Sequence, residues 1–387
     1  MDSTISHIKR LNTLFKITFF VLFCYSMYPW MTLEINSLYV SCIGFIVCVF
    51  NRVLYKDYFY KFNSIVVVVL LLLYIWVSLH STIFGFINSV FNFYIVFILL
   101  SLRNVYKIEL FRFITKWFSI FLSISLFLFI LYYIGLPLPH TSLYFPELNY
   151  TFENYYFFVY DSNELLPRFR SVFGEPGHLT QGLILLLVGN KLNLKDKYVF
   201  LLFIAQIFTF SLAGYICLFV SFLLFSIFSR NSFKRVLIPI FVFLTLFLIF
   251  INMSEDSFLY EIIGYRMNFN LDSTRNERVG YDTEVIFKRF INSGQLLWGL
   301  DPTTLSKIDG AGYKVFLMSY GLVGGLLTFA FYWLYYRSMK MRECIVILFV
   351  FLLEQYQGSA SLWFCVLIGF ILGINNIKYG NTYKTYG

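Results

Sequence analysis

Residues 62–80 read FNSIVVVVLLLLYIWVSLH, an apolar run without one charged side chain, closed by a histidine. A hydrocarbon core about 30 Å thick needs roughly 17–25 helical residues to cross it, so this run is long enough to span. Working outward, comparable runs occur at 13–32, 36–51, 83–102, 117–136, 177–190, 198–213, 214–229, 236–252, 313–336, 343–357 and 359–376, which with the first makes twelve. The chain has 387 residues, 59% of them apolar and only 13% charged. An ordinary soluble domain carries about 25% charged residues, so a soluble enzyme is excluded. The runs lack the alternation of a membrane barrel, and a helix satisfies its own backbone in lipid. The expected fold is therefore all-α: a polytopic integral membrane helical bundle of about 12 transmembrane helices, forming a single membrane domain over 1–387. The first apolar run is too long for a signal-peptide core and no small-x-small site follows it, so it is expected to remain uncleaved.

Charge sets the expected orientation, because Lys and Arg collect in cytoplasmic loops. With both termini cytoplasmic, alternate loops place 21 of the 30 basic residues inside with five acidic ones, a balance of +16, and leave −6 outside, with Glu354 counted within a span. The net charge of +9 then reflects orientation and contact with anionic membrane lipids; no nucleic-acid partner is implied. All six cysteines (Cys24, Cys42, Cys48, Cys217, Cys344 and Cys365) fall in apolar runs, so neither a disulfide nor a zinc site is expected. His7, His80 and His140 show no ligand spacing, and no Asp-x-Asp or His-Glu-x-x-His occurs. No metal and no cofactor is expected.

Two connections are long enough to have work of their own, 137–176 and 253–312, and both fall outside. Each is expected to hold short amphipathic helices. The first combines aromatic and carboxylate residues, suited to sugar faces and hydroxyls or to an interfacial belt. It ends in Arg168-Phe169-Arg170-Ser171-Val172-Phe173-Gly174-Glu175-Pro176-Gly177-His178. Pro176 suits a first helical turn, whose free N–H groups together with Arg168 and Arg170 could hold a diphosphate. Glu175 and His178 could transfer a proton beside it, or Glu175 could merely cap the helix. The second loop offers Arg275, Arg278, Tyr281 and Arg289, with Arg275 and Arg278 three apart on one face if helical. From Glu284 to Leu297 the apolar spacing fits an amphipathic helix on the membrane surface. Ser211 and Tyr215 flank a tight turn at Ala213-Gly214 that could line a cavity or allow close packing. Glu354, with Gln355 and Gln357, is an ionisable group near a span end.

Arg170-x-x-Phe173-Gly174-Glu175-Pro176 resembles the pattern that the bacterial O-antigen polymerase and ligase superfamily carries before a membrane helix. Ser211-Leu212-Ala213-Gly214-Tyr215, Arg278 followed by Trp298-Gly299, and the Ser319-Tyr320-Gly321 run look like further landmarks of that superfamily, although its Gly-x-Gly is Gly299-Leu300-Asp301 here. Glu175, where ligases more often carry Asn, tilts the resemblance toward a polymerase. The resemblance implies metal-independent inverting glycosyl transfer on the outer leaflet of the bacterial inner membrane, with the large loops periplasmic. Donor and acceptor would both be undecaprenyl-diphosphate-linked oligosaccharides, and a chain-length regulator protein is a further candidate partner. Arg170, Arg278, Glu175 and His178 would be catalytic; Arg168, Arg275, Arg289, Tyr281, Ser211 and Tyr215 would contact substrate. The alternatives are a ligase moving polymer to lipid A core and a lipid-linked oligosaccharide flippase. Against the flippase stand the lack of a convincing internal repeat and the crowding of charge in the external loops.

Overall fold

A computed structural model describes residues 11–59, 64–145, 150–161, 168–227, 281–301 and 313–336. The expected spans 236–252, 343–357 and 359–376 lie outside the described residues, as do Arg275, Arg278 and Glu354. The described chain is mostly helical: α1 (Thr13–Tyr25), α2 (Ser37–Leu54), α3 (Ser64–Leu79), α4 (Ile83–Ser101), α5 (Asn104–Tyr133), α6 (Pro176–Gly189), α7 (Lys197–Phe208), α8 (Leu212–Ile227), α9 (Tyr281–Ile291) and α10 (Tyr313–Tyr336). Of these, α2, α4, most of α5 and most of α10 are long and apolar enough to cross a membrane, while α1, α3, α6, α7 and α8 are apolar but shorter. The protein is thus a helical chain with several helices of membrane-spanning character.

Local chemistry sets the helix starts. Asn12 and Asn36 accept the Leu14 and Leu38 amides, Thr82 accepts that of Gly85, and Asp196 accepts those of Tyr198 and Val199. Each bond satisfies a donor that has no partner within its helix. Two boundaries depart from the apolar pattern. First, α5 begins at Asn104 and not near 117, because its opening turns are amphipathic: Leu110, Phe111 and Ile114 are buried while Arg112 and Lys116 face outward. Second, α1 stops at Tyr25 and not near 32, since Tyr28 adopts φ +54 and Pro29 follows in extended backbone. The first long loop also differs from expectation. It holds a three-stranded antiparallel sheet, β1 (Thr141–Phe145), β2 (Tyr150–Asn154) and β3 (Val159–Tyr160), where short helices were expected. Thr141 pairs with Asn154 and Phe145 with Tyr150, and Glu153 pairs with Tyr160. Threonine and aromatic side chains favour such a pleated ribbon. In the second loop the amphipathic helix is present as α9: Phe287 and Phe290 are buried, Lys288 and Arg289 exposed, and turns replace helix after Ile291.

At one end of the bundle Lys16 pairs with Glu109 at 3.0 Å, Arg103 donates its amide to the Tyr58 carbonyl, and Asn190 donates to Thr115. Basic residues of the starts of α1 and α5 and the end of α2 therefore share this end. The first loop, the turns after α1 and α7, and the segment after α9 meet at the other. Between them runs α6, buried at nearly every position from Pro176 to Val188. A helix apolar all round belongs in the centre of a bundle. Helices close on one another where small residues permit: a Cβ on Gly182 would meet the Met27 sulfur at 2.4 Å, and one on Gly214 would meet Gln206 and Thr180 at 2.3 and 2.4 Å.

One span is broken. Within α10, Gly321 has φ +63 and ψ −173, and the segment 296–300 is spliced into the gap. In an unbroken helix the amides of residues 322 and 323 would bond the carbonyls of 318 and 319. Here Leu322 and Val323 donate to the carbonyls of Leu296 and Leu297, while Leu300 donates to Met318 at 2.7 Å. The indole of Trp76, on α3, donates to the Tyr320 carbonyl at 2.9 Å. The break is therefore largely satisfied by protein, as buried main-chain donors and acceptors must be.

Candidate active site at the mouth of α6

The stretch Arg168–Glu175 is clamped from three sides. Gly174 donates its amide to the Tyr28 carbonyl, Trp30 donates to Val172, and Pro29 bridges to Phe173. Phe169 donates to the Phe208 carbonyl at the end of α7. Ser171 accepts from the Ser125 hydroxyl of α5 at 2.9 Å, and its carbonyl accepts from Val159 of β3. Phe169 and Phe173 are fully buried against Phe129 and Phe118 of α5. Three non-glycine residues around this mouth take left-handed backbone: Tyr28 (φ +54), Ser171 (φ +52) and Phe210 (φ +46). Each such residue costs about 1–3 kcal/mol, and such strain gathers at functional sites.

Arg170 is only 2% exposed. Its Nη1 donates to the Gly174 carbonyl at 3.0 Å and its guanidinium lies 5.1 Å from the centre of the Phe152 ring. It closes the loop back on itself and carries a permanent positive charge into a dry setting. Arg168 is half-buried two residues earlier. Glu175 is the cap residue of α6, yet its side chain makes no capping bond, so the capping role open to it from sequence is not taken up. His178, in the first turn of α6, is buried with its ring centre 5.6 Å from that of Tyr28. Tyr28 in turn lies within electrostatic reach of Tyr320 at the α10 break. Arginine, imidazole and phenol thus line one mouth, able to hold an anion and relay a proton.

Ser211 and Tyr215 adjoin this site in a packing role. The Ser211 hydroxyl accepts the Gly214 amide at 3.3 Å, and the Tyr215 hydroxyl donates to the Ile207 carbonyl. Beneath them Thr180, Gln206 and Thr209 form a buried hydroxyl and amide cluster in which Gln206 Oε1 takes no hydrogen bond from the described residues. Arg289 stands exposed on α9, and Tyr281 opens that helix; neither is tied to the α6 mouth by a described contact. Arg275 and Arg278 lie outside the described residues. Among the described residues no group of three or more His, Cys, Asp or Glu could hold a metal ion.

Neither Tyr28 nor Trp76 stands out in the sequence, and His80 and Tyr320, though named there, carry no sign of the contacts they make. His80 holds Trp76 O and Trp298 O with its two ring nitrogens, at 2.9 and 2.6 Å. The four-residue spacing of Trp76 and His80 at a span end, one helical face, was the available signal. Above the mouth, Tyr155 packs among Tyr132, His140 and Phe158 and donates to Glu153 at 2.7 Å. Burial, and then that bond, push its phenol well above the usual range. Compared with known proteins, the chain matches no family model, no curated sequence and no solved structure.

Proposed function

We propose that this protein is a membrane glycosyltransferase of the O-antigen polymerase kind, a bundle of twelve spans in a bacterial inner membrane with the α6 mouth on the periplasmic side. The observation that carries the reading is the convergence at that mouth of strained backbone, a buried arginine and a buried histidine, at the end of the bundle opposite Lys16 and Arg103. It is supported by the meeting of two landmarks far apart in sequence, Trp298-Gly299 and Ser319-Tyr320-Gly321, in the splice of α10.

In the proposed reaction the acceptor sugar hydroxyl attacks the anomeric carbon of the donor. The bond from that carbon to the diphosphate oxygen breaks, and undecaprenyl diphosphate departs with inversion. The acceptor proton passes to His178, with Glu175 as the other candidate base. A diphosphate leaving group needs charge neutralisation more than protonation, so guanidinium groups suffice without a metal. Arg168 and Arg278 contact the diphosphate with Arg275 assisting, while Arg170 shapes the loop and adds its field.

The test is the surface-polysaccharide banding pattern of cells carrying His178→Gln or Arg278→Ala at normal protein level. Single-repeat glycolipid without a ladder is expected; a normal ladder in both variants would end the assignment. A second reading, a lipid-linked oligosaccharide transporter, gains one observation, since broken spans such as α10 are a transporter device. Movement of labelled lipid-linked units across vesicles without chain growth would decide for it.

A further inference from the structure

His80 is half-buried one residue past the end of α3, and both ring nitrogens face main-chain oxygens: Nδ1 lies 2.9 Å from Trp76 O and Nε2 lies 2.6 Å from Trp298 O. Carbonyl oxygens only accept. A neutral imidazole has a single N–H, so it can serve one of them and must turn a lone pair toward the other; imidazolium donates to both. The second carbonyl belongs to the segment spliced into α10, which is also held by the Leu300, Leu322 and Val323 bonds and by the packing of Leu296 and Leu300 with Phe287, Phe290 and Met318. Trp298 also packs on Trp76, ring centres 5.6 Å apart, and the His80 ring stands edge-on to that of Tyr320 at 6.3 Å.

We propose that His80 is a proton-operated latch: as imidazolium it donates to both Trp76 O and Trp298 O and pins the 296–300 segment into the break of α10, whereas the neutral ring serves only one of these carbonyls and holds the segment more weakly. Among the described residues the ionisable neighbours are few. Tyr320 faces it from α10; α3 and α4 carry no charged residue; Asp301 ends the latched segment and is exposed. Lys314 of α10 directs its ammonium over Phe287, and Lys288 and Arg289 are exposed on α9. A latch of this kind responds to the acidity of the compartment it faces. Tyr320 links the break to Tyr28 and the α6 mouth, so release alters the wall of the proposed site. The latch does not depend on what reaction occurs there.

The test uses the full-length protein in lipid nanodiscs, with no activity readout. Hydrogen exchange at Leu300, Leu322 and Val323, corrected for intrinsic rates, is expected to be about tenfold slower at about pH 5.5 than at about pH 8, the effect of one added charged hydrogen bond. His80→Gln should remove that pH step, and His80→Arg, with several fixed donors, should keep the segment protected at both values. Nitrogen NMR of the four histidines should show His80 with both ring nitrogens protonated at the lower pH. Wild-type protection that is equal at both values would overturn the latch, as would a step that survives in His80→Gln. A His80 ring singly protonated at the lower pH would overturn it without any variant.

Discussion

Gly321→Ala tests the splice directly. The residue sits at φ +63 and ψ −173, a region open essentially to glycine, where a side chain costs about 1–3 kcal/mol. Its Cβ would also lie 2.3 Å from the Leu297 oxygen and 2.6 Å from the Gly299 nitrogen, both main-chain atoms of a segment held at either end. Relief requires that segment to withdraw, which breaks the Leu300, Leu322 and Val323 bonds; at about 1 kcal/mol each net they add about 3 kcal/mol. The variant therefore gives up whichever is smaller, strain or splice, and a loss of about 3 kcal/mol is expected for the inserted state. That corresponds to roughly a hundredfold rise in exchange at the Leu322 and Val323 amides. The assay is hydrogen exchange with mass spectrometry on the full chain in nanodiscs, read on fragments covering 294–301 and 318–325. The far end of the bundle, around Asn190 and Thr115, serves as internal control and should not change. If exchange at 322 and 323 matches the wild type, the segment is not inserted as described and the interpretation of α10 fails.

Gly214→Val should weaken the junction of α6, α7 and α8, because its side chain would displace Gln206 and Thr180; a lower melting temperature in detergent is expected, and an unchanged one would refute the close approach. Arg170→Lys keeps the charge but loses the flat contact on Phe152 and the reach to Gly174, so faster proteolysis of the 168–175 loop is expected at unchanged net charge. Tyr155, with its phenol raised in the folded state, supports the sheet fully below the unfolded phenol value of about pH 10 and loses that support as pH climbs through the folded value. Ultraviolet titration of the wild type against Tyr155→Phe should therefore differ by one tyrosine near pH 10 when both are unfolded and by none there when both are folded.

The apolar runs were legible because lipid leaves little freedom: 83–102 and 177–190 return as α4 and α6 within a residue or two. The start of α6 was legible too, since Pro176 marks the first helical turn right after Glu175. What escaped was set by partners distant in sequence. Nothing beside Tyr28 announces that its carbonyl will receive the Gly174 amide, and nothing beside Trp76 announces Tyr320. The opening of α5 was missed because Lys107, Arg112 and Lys116 lower its apolar average while Leu110, Phe111 and Ile114 still face inward. The sheet was missed because β1 and β2 are only five residues each, too short to stand out against the aromatic composition of the loop.

The Trp76 to Tyr320 bond joins residues 244 positions apart. A ribosome feeding this chain into a membrane completes α3 long before it makes α10, so the top of α3 must wait with an indole donor and an imidazole exposed to lipid headgroups or to an insertion chaperone. Truncations that stop before residue 300 should accordingly be cleared by quality-control proteases, and the late arrival of α10 would be the event that commits the nascent polypeptide to its mature form.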